Sequence, residues 1–273
     1  MPRLQWCFLN TGANTGVFNM RFDETLARRL QHAATAVGPE GSTDERPDGF
    51  PRPTLRLFRW NPWAISVGYN QDTGELDREA CAREQIDVVR RPTGGRAILH
   101  AEELTYSVVM ITGRTSILQV YNDISRALVR GLRIFGVDAS LQRSQPNFVE
   151  SYRQPTSIPC FTSSARYEIE WGGRKLVGSA QRRFSDGERD VVLQHGSILI
   201  GPAHRRLSEF LTVRDGPTLD VIRKDLRERT VDLSEILGGP VDVELLGECL
   251  RAGFEQEWGI EFENCREEEI QIP

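Results

Sequence analysis

Three strand-like runs in the second half of the chain constrain its fold more than any other feature of the sequence. Residues 166–171, 175–183 and 191–200 alternate between apolar and polar side chains or are continuously apolar, as strands are. The first two runs meet at Gly172-Gly173, a dipeptide typical of tight hairpin turns. The sequence therefore predicts a β-hairpin followed by a third strand.

Helical patterns lie on both sides of these strands. Apolar residues recur at helical spacing over residues 19–36 and 117–135. Two shorter runs, 55–60 and 64–69, are expected to form a hairpin-like pair because the turn signal Asn61-Pro62-Trp63 separates them. This order of elements predicts an α+β fold, a mixed β-sheet with helices packed on one face. Further helices are predicted at 204–211, 218–229 and 241–258.

Length and composition indicate one globular unit. A chain of 273 residues lies near the upper limit for one hydrophobic core, so we expect a single catalytic domain over 1–273. Its core is expected at about 15–240 and a helical tail at about 241–273. No apolar run reaches the roughly 18 residues of a membrane span, and the first residues lack a signal-peptide pattern. We expect a cytoplasmic monomer, in which residues 38–53 form a surface insertion.

Charge and cysteine usage narrow the class of protein further. The net charge of −5 argues against nucleic acid as the main partner, because binding phosphates requires a basic surface. Local clusters of arginine instead suit a small anionic ligand or an acidic carrier surface. The five cysteines form no C-x-x-C pair, and their odd number favours reduced thiols. The four histidines show no metal-binding spacing, so no metal is expected.

Lys175 stands out because only two of the 34 lysines and arginines are lysine, Lys175 and Lys224. It follows two glycines and precedes Gly178-Ser179-Ala180, where the backbone can approach a ligand closely. Cys160 lies fifteen residues upstream. A thiol beside an ammonium group has the composition of an activated nucleophile, although a lone cysteine is more often a small apolar side chain.

A second glycine-rich segment runs from Arg90 to His100. Its Pro-Thr-Gly-Gly turn leaves backbone N–H groups available to a ligand, but such turns are also common in purely structural roles. The segment does not match the nucleotide-binding P-loop. His195 lies beside Gly196 in an apolar strand, and the residues alone leave a structural role open for both His100 and His195.

Together these motifs, in this order and spacing, resemble the catalytic domain of the biotin/lipoate protein ligase family. Within it they are similar to octanoyltransferases that load octanoate from acyl carrier protein onto lipoyl domains. Ligases of the family carry a third glycine where this chain has Arg96, and an aspartate at Ala101. These departures favour a transferase. The similarity covers Phe18-Asn19-Met20, Asp23-Glu24, Arg59-Trp60, Val67-Gly68-Tyr69, Arg90 to His100, Glu103 to Ser107, Pro159-Cys160-Phe161, Gly173 to Gln181 and Leu193 to Ser197.

The resemblance implies a cysteine-dependent acyl transfer without a cofactor. Octanoyl-acyl carrier protein would acylate Cys160, and the acceptor would be the lysine of a lipoyl domain or of the glycine cleavage H protein. Lys175 would favour the Cys160 thiolate. The same resemblance implies a substrate-binding set that comprises Arg91, Thr93, Gly94, Gly95, His100, Gly178, Ser179, Ala180, His195 and Gly196.

Two related enzymes and one non-enzyme remain as alternatives. An ATP-dependent lipoate-protein ligase would use Lys175 against an acyl-adenylate and would tolerate loss of Cys160. An amidotransferase would use the same cysteine and lysine but would move octanoyl or lipoyl groups between lipoyl proteins. A non-catalytic binder of lipoyl domains would form no acyl-enzyme.

Overall fold

The structure is a computed structural model that describes residues 5–36, 51–113, 115–143, 167–185 and 190–270. The helices in this part of the chain are α1 (Gly16–Ala36), α2 (Arg78–Arg83), α3 (Ile117–Ile134), α4 (Gly216–Glu228), α5 (Leu233–Leu237) and α6 (Val243–Trp258). Its strands are β1 (Gln5–Asn14), β2 (Thr54–Trp60), β3 (Ala64–Val67), β4 (Asp87–Arg90), β5 (Ile98–His100), β6 (Glu103–Ile111), β7 (Ser140–Arg143), β8 (Tyr167–Trp171), β9 (Arg174–Phe184), β10 (Val191–Leu199) and β11 (Glu261–Asn264). Short 3-10 helices lie at Thr73–Glu75, Pro202–Phe210 and Glu267–Ile270.

The strands form one large mixed sheet and one small sheet. The large sheet has eight strands in the order β11-β1-β2-β6-β10-β9-β8-β7, and the small sheet has three in the order β4-β3-β5. Strand β1 pairs in parallel with both β11 and β2, whereas the pairs from β2 to β7 are antiparallel. The α+β class and the mixed sheet predicted from sequence are therefore confirmed.

The predicted run of three strands is present as β8, β9 and β10. Gly172 and Gly173 make the turn between the first two, with φ angles of 58° and 75°. These positive angles favour glycine over residues with a side chain. Strand β10 then pairs antiparallel with β9, so that His195 lies opposite Ala180 and Gly196 opposite Ser179. This register brings the two predicted motifs of β9 and β10 together.

Helices cover both faces of the large sheet, not one face as the sequence analysis expected. Trp6 and Phe8 of β1 join a core with α3 and α6, whereas Cys7 and Leu9 join a second core with α1. Successive side chains of a strand point to opposite faces, so each face needs its own apolar cover. Helix α1 supplies that cover on one side, and the α3–α6 pair supplies it on the other.

Two predicted connections differ from the structure. The hairpin expected between 55–60 and 64–69 is absent: β2 pairs with β1 and β6 in the large sheet, and β3 pairs with β4 and β5 in the small sheet. The turn signal was correct, but it leads from one sheet to the other. The tail 241–273, predicted as helical, contains α6 but then continues into strand β11, which adds to the edge of β1.

Cys7 and Cys265 form a disulfide, with Cα atoms 5.7 Å apart. The prediction of reduced cysteines is wrong for this pair, because the β1–β11 pairing brings together two residues that are 258 positions apart in sequence. Cys81 and Cys249 are buried free thiols. No helix in the described part of the chain is long and apolar enough to span a membrane. Most of the predicted insertion at 38–53 lies outside the described residues.

Candidate active site

A cavity lies where the large sheet, the small sheet and helix α1 meet. The space that these elements surround is about 370 Å³, and part of it is open to solvent. Its lining combines apolar side chains of α1, β2 and β5 with polar side chains and glycines, most of them on β9 and β10. The lining residues are Met20, Trp60, Ser66, Arg91, Ile98, His100, Thr105, Gly178, Ser179, Ala180, His195, Gly196 and Ser197.

Most of the substrate-binding set predicted from sequence meets at this cavity. Seven of its members line the cavity directly: Arg91, His100, Gly178, Ser179, Ala180, His195 and Gly196. Thr93 lies behind His195 and contacts its ring. Gly94 and Gly95 are exposed in the turn that joins β4 to β5 and do not line the cavity. Sequence segments that are about 80 residues apart are therefore adjacent in the fold.

His195 is held between a carboxylate and a hydroxyl group. Its Nδ1 lies 3.1 Å from Asp23 Oδ2, and its Nε2 lies 2.6 Å from Thr93 Oγ1. Burial lowers the pKa of His195, although hydrogen bonding and charge interaction with Asp23 oppose that shift. The ring is therefore neutral at physiological pH, with Asp23 set to accept its Nδ1 proton.

Asp23 is itself fully buried and receives further hydrogen bonds. Arg56 donates to Asp23 Oδ1 at 2.8 Å, and Ser107 donates to the same oxygen at 2.8 Å. Although burial raises the pKa of Asp23, the Arg56 charge and the interactions with His195 and Ser107 outweigh it, so the pKa is lowered overall. The Arg56 guanidinium is stacked between the rings of Phe22 and Phe58, 4.2 and 3.9 Å from their centres. Asp23 is therefore ionised.

His100 has a comparable arrangement on the opposite wall. Its Nδ1 lies 2.8 Å from Glu103 Oε1, and its Nε2 lies 2.7 Å from Ser66 Oγ. The ring stacks on Trp60, with centroids 3.9 Å apart and an angle of 12° between the planes. Thr105 and Ser197 also donate to Glu103 Oε1, at 2.6 and 2.8 Å. Both cavity histidines are thus bonded at each ring nitrogen.

The turn between β4 and β5 is fixed by Arg91. Its guanidinium donates to Gly94 O, Arg96 O and the Ser66 backbone and hydroxyl oxygens, over 2.7–3.0 Å. The turn also packs tightly against Gly68, where an added Cβ would lie 2.0 Å from Gly95 O. The Arg91 side chain therefore holds the turn that forms part of the cavity wall, and a side chain at position 68 would displace that wall.

Strands β9 and β10 approach each other closely at the cavity. A Cβ on Gly196 would lie 2.5 Å from Gly178 O and 2.7 Å from Ser179 Oγ, so glycine is required here. The Ser179 hydroxyl lies 2.7 Å from Tyr106 OH, to which Gln194 Nε2 donates at 2.9 Å. Burial raises the pKa of Tyr106 to about 12, so the phenol remains protonated.

Lys175 lies on β9 but is not among the residues that line the cavity. Its ammonium donates to Glu168 Oε1 at 2.6 Å, and both side chains are buried. Glu170 lies opposite Lys175 in the hairpin. Burial and the neighbouring Glu168 charge raise the pKa of Glu170, which Lys175 partly offsets. Cys160, the predicted nucleophile, lies outside the described residues, so its predicted proximity to Lys175 stays a prediction.

Several polar groups that hold predicted site residues in place were not themselves predicted from the sequence. Asp23, Glu103 and Ser66 hold the two histidines, and Glu168 holds Lys175. Each is a polar residue within a largely buried helix or strand, and that mismatch was the available signal. In the part of the chain that the structure describes, no three His, Cys, Asp or Glu side chains converge as metal ligands would.

Comparison with known proteins places these features in context. The sequence model of the family described as lipoyl protein ligase A/B catalytic domain matches residues 16–255. A protein named octanoyltransferase LipM from Kyrpidia tusciae is 39% identical over 263 residues, which cover 94% of this chain and 89% of that protein. Octanoyltransferase LipM from Bacillus subtilis is 30% identical over 270 residues, covering 96% and 90%.

Solved structures show the same fold at lower sequence identity. An archaeal bipartite lipoate protein ligase from Thermoplasma acidophilum superposes with a TM-score of 0.72 at 23% identity, covering 98% of this chain and 90% of that chain. A lipoate-protein ligase A bound with ATP gives a TM-score of 0.68 at 22% identity, covering 99% and 92%. At these identities the likeness concerns the fold.

Proposed function

We propose that this chain, which belongs to the lipoyl protein ligase A/B catalytic domain family, is an octanoyltransferase that acts through a thioester on Cys160. Octanoyl transfer is supported by relatives of 30–39% identity that are named octanoyltransferases and align with more than nine tenths of this chain. The observation in the structure that carries the proposal is the cavity, whose lining combines apolar side chains with polar groups and exposed backbone.

The cavity suits an acyl thioester. Met20, Trp60 and Ile98 offer apolar surface to a hydrocarbon chain. Gly178 and Gly196, from adjacent strands, present backbone and no side chain to the cavity, so a carbonyl group of the substrate would face peptide groups there. An octanoyl group has these same two parts, a saturated chain and one polar end. We therefore place the acyl chain against the apolar residues and the thioester carbonyl beside β9 and β10.

The proposed reaction has two steps. The Cys160 thiolate attacks the carbonyl carbon of octanoyl-acyl carrier protein, the carbon–sulfur bond to the carrier breaks, and the carrier thiolate leaves and takes up a proton. The amine of an acceptor lysine then attacks the Cys160 thioester, loses a proton and releases the Cys160 thiol as an amide forms. The thioester is already activated, so neither step needs ATP.

We assign Lys175 to stabilising the Cys160 thiolate and Glu168 to positioning Lys175. Each unit by which a thiol pKa falls corresponds to about 1.4 kcal/mol in favour of the thiolate, and a nearby ammonium is a common source of such a shift. The 2.6 Å ion pair with Glu168 offsets part of the ammonium charge. On this assignment, Glu168 limits how far Lys175 can lower the Cys160 pKa.

The proposed acceptor is the lysine of a lipoyl domain or of the glycine cleavage H protein, and the proposed donor is octanoyl-acyl carrier protein. Action as a monomer and location in the cytoplasm stay predictions from the sequence. No cofactor is assigned to the reaction.

Intact-protein mass spectrometry tests the proposal directly. Purified chain is mixed with octanoyl-acyl carrier protein without ATP, with wild type compared against Cys160→Ala and with Cys249→Ala as a control that removes a buried free thiol. We expect an octanoyl adduct on wild type and Cys249→Ala, discharged by a lipoyl domain, and no adduct on Cys160→Ala. Adducts on Cys160→Ala would overturn the nucleophile assignment. Acylation of the lipoyl domain only when ATP and free octanoate are supplied would identify a ligase instead.

A further inference from the structure

The two histidines of the cavity raise the question of whether either is free to take a proton from substrate. His195 is the more informative because each ring nitrogen has one defined neighbour, Asp23 at Nδ1 and Thr93 at Nε2. A neutral imidazole carries one N–H and one lone pair, and its neighbours decide which nitrogen carries the proton. The answer for His195 follows from the state of Asp23.

Asp23 must accept the Nδ1 proton. Its carboxylate already receives hydrogen bonds from Arg56 and Ser107 at Oδ1, both at 2.8 Å, and it lies in a fully buried ion pair with Arg56. An ionised carboxylate has no proton to donate. Nδ1 therefore carries the hydrogen that is directed at Asp23 Oδ2, and in the neutral ring the lone pair lies on Nε2.

The Nε2 lone pair of His195 accepts a hydrogen bond from Thr93. Thr93 Oγ1 lies 2.6 Å from Nε2, and the threonine is fully buried. Because Nε2 is the acceptor, the Thr93 hydroxyl is the donor. This bond anchors the turn that contains Thr93 to strand β10, 102 residues away in sequence. The same turn carries Arg91, which lines the cavity.

We propose that Asp23, acting through His195 and Thr93, is a positioning residue that fixes the 91–96 turn on the cavity, and that His195 is not the base of the acyl transfer. This relay, the chain of hydrogen bonds from Asp23 through His195 to Thr93, holds the His195 ring as the Nδ1–H tautomer. The lone pair on Nε2 already accepts the hydrogen bond from Thr93. The effect on catalysis rests on the proposed function, since the turn is taken to shape an acyl site. The tautomer itself does not depend on that function.

The opposite wall supports this assignment. His100 repeats the order carboxylate, histidine, hydroxyl, with Glu103 at Nδ1 and Ser66 at Nε2. Ser66 in turn receives a hydrogen bond from Arg91 at 3.0 Å. The 91–96 turn is thus tied to the large sheet through Thr93 and through Arg182, which donates to Pro92 O at 3.1 Å, and to the small sheet through Ser66. A turn that is fixed to both sheets holds a defined position at the cavity.

Replacing the Thr93 hydroxyl distinguishes a positioning role for His195 from a role as base. Thr93→Val keeps the shape of the side chain but removes its donor, so it breaks the bond between the turn and His195 and at the same time frees Nε2. The hydrogen bonds from Arg182 to Pro92 O and from Tyr69 N to Thr93 O remain. We expect kcat/KM for octanoyl transfer to fall about tenfold, the usual effect of losing one buried hydrogen bond. Thr93→Ser restores the donor and should return kcat/KM to within about twofold of wild type. If His195 were the base, freeing Nε2 would leave the rate unchanged or raise it, and that result would overturn the proposal.

A spectroscopic measurement tests the tautomer independently of activity. In ¹⁵N-histidine-labelled protein, with His195 assigned from a His195→Gln sample, we expect the Nδ1–H form in wild type and a shift of the Nε2 resonance alone in Thr93→Val. An Nε2–H form in wild type would contradict the relay. Thr212→Val serves as the matched control, because Thr212 is exposed and its hydroxyl donates to Gly74 O. A wild type with this tautomer but no octanoyl transfer would refute the proposed function and leave the relay intact.

Asp23→Asn tests the first member of the relay. We expect the same loss of kcat/KM where the variant folds, with the His195 ¹⁵N spectrum changed at Nδ1. Because Asp23 also neutralises Arg56, this variant is secondary, and the Thr93 pair decides the question. Wild-type activity together with a wild-type spectrum in Asp23→Asn would overturn the part assigned to Asp23.

Discussion

Two regions of the molecule bury a histidine in different ways. At the cavity, His195 lies against the Asp23 carboxylate, whereas in the 3-10 segment Pro202–Phe210, His204 lies against the backbone oxygen of Gly201 and the hydroxyl of Thr230. Burial lowers the pKa of both rings. At His195 the hydrogen bond and charge of Asp23 oppose this shift, and at His204, whose pKa is about 4, the Gly201 hydrogen bond and the charges of Asp232 and Glu103 oppose it.

The difference separates a histidine that organises a site from one that fills the core. A buried carboxylate costs free energy unless it is paired, so its presence beside a histidine is not explained by packing alone. A backbone carbonyl is present in any case, and a histidine that contacts one adds no new charge. The partner of a buried histidine is therefore more informative about its role than the histidine itself.

The largest expected effect concerns the charge that Asp23 balances. Asp23→Asn leaves the Arg56 guanidinium buried without its counter-ion, so we expect the free energy of unfolding to fall by about 3–5 kcal/mol. Urea denaturation at neutral pH measures the change. The matched control is Glu24→Gln, the next residue of α1, whose exposed pair with Arg28 should contribute less than about 0.5 kcal/mol. Equal losses in the two variants would remove the distinction between the site and the surface.

The next largest expected effect on stability comes from the protonation of His204. The pKa of His204 is about 4 in the folded protein and 6.5 as a free side chain, so the unfolded chain binds the proton first as the pH falls. Stability is therefore lost below about pH 6.5, and His204 should contribute about 2 kcal/mol of loss between pH 7 and pH 5. The measurement compares the change in unfolding free energy over this range in wild type and in His204→Gln. Identical changes in the two proteins would show that His204 is not buried as a neutral ring.

The smallest expected effect on stability concerns Trp60, which packs against the cavity residue His100. Trp60 stacks on His100 and donates from Nε1 to Thr105 Oγ1 at 2.7 Å. Trp60→Phe keeps a ring on His100 but removes this hydrogen bond, so we expect a loss of about 1 kcal/mol in unfolding free energy. Trp258→Phe is the control, because its Nε1 bond to Asp123 O is longer, at 3.3 Å. A larger loss at Trp258 would show that the hydrogen bonds beneath His100 are not specially stabilising.

Local signals in the sequence predicted local structure well. The Gly172-Gly173 turn and the strands on either side of it are present as predicted, since the turn residues and the alternating pattern act over a few positions. The sequence was less informative about the pairing of strands that lie far apart along the chain. The turn at Asn61-Pro62 was read as a hairpin, but whether two strands pair depends on which sheet edge each can reach. The same limit hid the Cys7–Cys265 disulfide.

The residues of the site also divide into those that local sequence patterns predicted and those that they did not. Glycines and histidines in recognisable motifs pointed to the cavity wall, because backbone approach and ring chemistry restrict which residue types fit. The carboxylate partner of His195 is Asp23 of α1, 172 positions away, so spacing along the chain could not pair them. Glu103 lies only three positions after His100, and its pairing was within reach of the sequence but was not predicted. Lys175 was predicted to act on Cys160, and in the structure its ammonium group also pairs with Glu168, seven positions earlier.

The parallel pairing of β1 with β11 has a consequence for how the molecule is made. Gln5 lies beside Glu261, so the outer edge of the large sheet needs residues from nearly opposite ends of the described chain. During synthesis, β1 leaves the ribosome first and can pair with β2 early, while its other edge waits for β11. Contacts between such distant residues form slowly because a long loop must close. The nascent enzyme therefore carries an unpaired strand edge at least until translation has passed Asn264, and throughout that interval the edge is available to chaperones or to another nascent chain.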